Sequence, residues 1–90
     1  MNAQAFSANP LPDGVSKALE ALWHEAQGDW EKAHDVLQDG NADCDWVHAY
    51  LHRKEGDEAN ARYWYRRASK PFPGMSLEEE WQDITKALLE

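Results

Sequence analysis

The sequence predicts an all-α fold: two antiparallel helical hairpins, residues 14–40 and 43–70, closed by a single capping helix over 76–89. Three observations predict it. A Gly-Asp pair stands between amphipathic stretches twice, at Gly28-Asp29 and Gly56-Asp57; a shift of 28 residues superposes the stretches around the two pairs; and Pro71-Phe72-Pro73-Gly74 sets off a third such stretch. Glycine reaches the left-handed conformation that ends a helix without steric cost, and an aspartate after it can accept the unpaired N–H groups of the next helix. Each pair therefore reads as one helix closing and another opening.

Residues 1–12 read as an N-terminal arm, extended because Pro10 and Pro12 discourage helix. Residues 13–90 form one domain. Asp13 is the expected N-cap of a helix from Gly14 to Gln27 that turns Val15, Ala18, Leu19, Leu22 and Trp23 to one side. After the first joint, a shorter helix from Trp30 to Asp39 places Trp30, Ala33, Val36 and Leu37 inward and stops at Gly40-Asn41.

In the second hairpin, a projection at about 100° per residue gathers Trp46, Val47, Ala49, Tyr50 and Leu51 in one broad arc. His48, His52 and Glu55 fall opposite. Beyond Gly56-Asp57, Ala61, Trp64, Tyr65 and Ala68 follow helical spacing, and the two alanines let the backbones approach around the rings. After the prolines, Ser76 and Glu79 form a capping box, Glu78, Glu79 and Glu80 complement the helix dipole, and Leu77, Trp81, Ile84 and Leu88 make an apolar stripe. Two repeats are fewer than the about three that usually stabilise a solenoid. The arm, the capping helix or a second copy of the chain is thus expected to cover an open face, and a homodimer stays open as an alternative.

Ninety residues are too few for two independent cores, and five tryptophans supply much buried area from few positions. The net charge of −8 argues against a general nucleic-acid or anionic-membrane binder. That charge is unevenly placed: residues 46–70 carry six bases and three acids, whereas residues 1–45 carry two bases and nine acids. The central hairpin is a basic island. Cys44 is the only cysteine, which precludes an internal disulfide and points to a reducing compartment, and no apolar run is long enough to span a bilayer. With no signal-peptide pattern at the start, the expected location is the cytoplasm.

The shift of 28 lays Ala21, His24, Gly28, Asp29 and Ala33 on the identical residues Ala49, His52, Gly56, Asp57 and Ala61. From Gly56-Asp57 through Ala61, Tyr65 and Ala68 to Pro73, the pattern resembles the second helix of tetratricopeptide (TPR) and related Sel1-like repeats. The first repeat fits at Gly28-Asp29-Trp30 and Ala33, while Leu37 replaces the aromatic residue and Gly40 the last alanine. The His48–Ala68 string is also similar to that of short bacterial proteins, a resemblance that implies no activity. What the repeat resemblance implies is a TPR-like fold of the α-α superhelix type that binds proteins or peptides. The repeat length departs from the TPR length of about 34 residues. The TPR register would place His48 and His52 at apolar core sites, whereas the projection puts them on the polar side; the projection is followed, because buried imidazoles would need partners that their own helix does not supply.

Candidate sites follow from the basic island. Arg53, Lys54, Arg62, Arg66, Arg67 and Lys70, interleaved with aromatic rings, could hold a carboxylate, a phosphate or a single strand of nucleic acid. Cations in the last turns of helices also serve the helix dipole alone, so a structural reading stands beside the binding one. The expected partner is a protein or peptide that is acidic or carries a free carboxylate, docking on Trp46, Tyr50, Arg53, Lys54, Arg62 and Arg66. The alternative from another class uses His24, His48 and His52 as a metal- or ligand-binding face, set against a plain solvated polar face. No cofactor is expected. No catalytic constellation stands out either: the serines sit in the arm or near helix ends, and Asp43 and Asp45 would raise the thiol pKa of Cys44.

Overall fold

The computed structural model describes residues 2–38 and 40–90, which form six helices and, among the described residues, no strand. These are α1 (Ala3–Ala8), α2 (Lys17–Ala26), α3 (Trp30–Asp35), α4 (Ala42–Glu55), α5 (Glu58–Arg67) and α6 (Leu77–Leu89). The two Gly-Asp joints are built alike. Gly28 and Gly56 take φ of 88° and 89°, and the Asp29 and Asp57 carboxylates accept from the backbone N–H three residues on, at Lys32 and Asn60. The backbone N–H of each aspartate donates back to a histidine carbonyl, His24 in the first joint and His52 in the second, at 3.0 Å in both. A side chain at either glycine would be strained at that φ even though the space around it is open.

Several boundaries differ from expectation. The N-terminal stretch is not extended, because the prolines fall just after α1 rather than inside it, and Asn2 caps the helix by accepting from the Ala5 N–H. α2 starts at Lys17 with Ser16 as its N-cap, since Gly14 at φ 80° turns the chain one step earlier. α3 ends at Asp35, so Val36 and Leu37 lie beyond the helix although Leu37 is buried; the expected end at Asp39 lies outside the described residues. The capping box at Ser76 and Glu79 opens α6 as expected.

α4 is the centre of the molecule, packed by α2, α3, α5 and α6. It buries Cys44, Asp45, Val47, Ala49, Tyr50, Leu51 and His52, which together occupy nearly every direction around its axis. A helix enclosed on all sides has no single apolar face. The main core runs from Phe6 on α1 through Leu19 and Leu22 on α2, Val47 and Leu51 on α4, to Trp81 and Ile84 on α6. A second, smaller core joins Ala49, Ala61 and Tyr65 between α4 and α5. α1 and α6 lie against α2 and against each other, and α5 lies along α4, from where its Tyr65 hydroxyl reaches Glu80 on α6.

Indole N–H groups pin these layers together, consistent with the tendency of buried tryptophans to find an acceptor. Trp23 donates to the Asn9 carbonyl, Trp30 to the Leu51 carbonyl and Trp81 to the Leu22 carbonyl, at 2.9, 2.9 and 3.1 Å. Each bond crosses from one helix to the chain of another.

Candidate functional site

Successive turns of α4 point His48 and His52 toward α3, where His34 follows Trp30 by four residues and so shares its face. The three imidazoles meet in the seam between the helix pairs. His34 and His48 face each other through their Nε2 atoms at 2.8 Å, and His34 and His52 are edge to face with ring centres 5.4 Å apart. Indoles bound the group on both sides: Trp64 stacks on His48 at 3.9 Å and 7°, and Trp30 stacks on His34 at 5.1 Å and 14°. His52 is buried, and its Nδ1 lies 2.6 Å from the Glu55 carboxylate. The His48 pKa is depressed from the ordinary 6.5 to about 4, first by burial and then by the positive charges that His34, His52 and Arg67 would present.

This placement corrects two expectations. His48 and His52 are not on a polar outer face; they lie in the seam because α4 is enclosed, and their partners come from α3 and α5 and, for His52, from Glu55 on α4 itself. His24 does not join them, since its ring faces Glu20 at 3.4 Å on its own helix and stands edge-on to Trp23. His34 takes the third place instead. Its signal in the sequence was its spacing from Trp30.

The basic residues divide into two sets. Lys54 and the Tyr50 hydroxyl both bind Glu25, which α2 buries, and Arg53 binds Glu80 at 2.8 Å, which α6 buries and which also accepts from the Tyr65 hydroxyl. Burial and the adjacent carboxylates push both tyrosine pKa values up, so the two phenols stay protonated donors. Arg53, Lys54 and Tyr50 are thus occupied by acids of the same chain. Both acids were legible in the sequence: Glu25 follows Leu22 by three and Glu80 precedes Ile84 by four, each on an apolar stripe. A cleft of about 510 Å³ opens beside Glu25, Tyr50 and Lys54.

The second set is on α5. Arg62, half exposed, pairs with Glu58 at 3.4 Å and lies 4.3 Å over the Phe72 ring, while Tyr63 is the most exposed large ring, at 45%. Arg66 is exposed, and Arg67 reaches the buried Asp45 carboxylate at 3.5 Å. Trp46 stands apart from both sets, half-buried with Lys70 4.2 Å over its ring. Of the six residues expected to form one docking surface, the structure keeps Arg62 and Arg66 together on the outer side of α5 and ties Tyr50, Arg53 and the exposed Lys54 to the buried acids Glu25 and Glu80.

No model of a known protein family matches the chain, and neither curated proteins nor solved structures give a match. No described helix is long and apolar enough to cross a membrane.

Proposed function

We propose that the chain is a TPR-like helical-repeat module without catalytic activity, which holds an acidic segment of a partner protein along the outer side of α5. The observation that carries this reading is that α5 packs on α4 by one side, from which Tyr65 also reaches Glu80 of α6, and leaves Arg62, Tyr63 and Arg66 exposed on its other side. The equivalent joints and the layered helix pairs support the repeat architecture. Charge supports the class of partner: six of the nine lysines and arginines lie in residues 46–70, and the exposed ones crowd α5. Their field attracts carboxylates, while the chain's overall negative charge disfavours nucleic acid.

The test is affinity capture from the native cell with wild-type protein and with the Arg62→Glu, Arg66→Glu double variant. Both positions are exposed, so the fold should be unchanged by circular dichroism. The expected result is an acidic protein retained by wild type and lost by the variant. An unchanged set of captured proteins, or enrichment of RNA alone, contradicts the reading; dimerisation in solution with no captured protein would assign the surface to a second copy.

A further inference from the structure

We propose that His34, His48 and His52 form a three-nitrogen site for one divalent transition-metal ion, zinc being the best fit, in the seam between the two helix pairs. One ligand nitrogen from each residue lies within 4.8 Å of the other two. Two come from one helix at i and i+4, and the third from a neighbouring helix, so an ion here would tie α3 to α4.

The donor chemistry selects the ion. Neutral imidazole nitrogens suit zinc, copper and nickel, whereas calcium and magnesium require sets of oxygen donors. His52 is prepared for ligation in a further respect: its Nδ1–H donates to Glu55 at 2.6 Å, which leaves the lone pair on Nε2. A carboxylate behind a ligating imidazole is the usual arrangement that fixes its tautomer and raises its basicity. The stacked indoles Trp30 and Trp64 fix the ring planes of His34 and His48 from the outside.

The distances also suit an ion after a small adjustment. Zinc–nitrogen bonds of about 2.0–2.1 Å at tetrahedral angles put ligand nitrogens about 3.3 Å apart. The His34 and His48 Nε2 atoms, now sharing a proton at 2.8 Å, would open by roughly half an ångström, and His52 would close from no more than 4.8 Å. Side-chain rotation supplies both changes. Three protein ligands leave a fourth position for water or for a donor from a bound molecule.

A rival set lies next to it, since His52, Glu55 and Asp57 also bring one ligand atom each within the same range. The experiment separates the two. Tag-free protein is stripped with a chelator and titrated with zinc chloride by calorimetry, and with copper or nickel while tryptophan fluorescence is followed. One ion per chain is expected, with quenching of Trp30 and Trp64. His34→Gln and His48→Gln should each weaken binding by about a hundredfold, Glu55→Gln by about 10- to 100-fold, and His24→Gln should bind as wild type does. Asp57→Asn keeps the helix cap and should leave binding intact. No zinc bound by the wild-type chain overturns the proposal. So does loss of binding in Asp57→Asn with His34→Gln unaffected. Should a histidine variant fail to fold, side-chain nitrogen spectra of the wild type decide: zinc must shift the His34, His48 and His52 resonances and leave His24 in place.

Discussion

Glu80→Ala is expected to cost about 3–5 kcal/mol of stability, the range for breaking a buried ion pair by removing one partner. Glu80 is 3% exposed and accepts from both Arg53 and the Tyr65 hydroxyl. Its loss would leave the buried Tyr65 phenol without its acceptor and the largely buried Arg53 cation with only the Met75 carbonyl to meet it. The pair is therefore worth less than its removal costs, because most of the damage comes from the orphaned groups. Glu80→Gln should cost less, since an amide oxygen can still accept from Tyr65. Urea unfolding of the three proteins measures the difference, and a loss below about 1 kcal/mol for the alanine variant, the worth of an exposed pair, would mean that Glu80 is solvated.

Phe6→Ala should cost a comparable amount, about 3–5 kcal/mol, from lost transfer energy and the cavity left behind. Phe6 is fully buried in the main core, yet it sits on a helix of six residues. A helix that short is not stable in isolation and is held by what its side chains touch. Its end is fastened to α2 by the Trp23 indole on the Asn9 carbonyl and by the Gln27 amide on the Ser7 carbonyl, both at 2.9 Å. Deleting residues 1–10 should destabilise at least as much as the single substitution. If both variants unfold at the wild-type urea midpoint, α1 is not part of the core.

The helices and their joints were legible because they rest on local chemistry. Gly28-Asp29 and Gly56-Asp57 specify their turns by backbone freedom and capping, and Ser76 with Glu79 specifies the start of α6; none of these needs a distant partner. α1 was missed for a related reason: proline restricts the residues around itself, and α1 ends at Ala8, before either one. The site was harder to read. Projection onto one helix assumes one wet side and so turns His48 and His52 to solvent, whereas α4 has helices around it. The repeat groups His24 with them by matching it to His52, but equivalence in a repeat is not contact. The contact partner is His34, which the repeat matches to Arg62 on the open helix. Likewise, the cations Arg53 and Lys54 carried no mark of what would meet them, and the acids that do lie 27 and 29 residues away along the chain.

The arrangement in the seam has a pH signature. Folded His48 gives up its proton near 4 rather than 6.5, so between those values the unfolded chain binds a proton that the folded chain does not. Stability from this residue is complete above about 6.5 and declines as the pH falls toward about 4.

The meeting of α3 and α4 at three imidazoles is observed most directly by histidine side-chain NMR of chelator-treated protein over a pH titration. The expected result is a His48 ring that stays neutral to about 4 and gives cross-peaks to the His34 ring and the Trp64 indole. A His48 ring that titrates at the ordinary 6.5 with no cross-peak to His34 would contradict it.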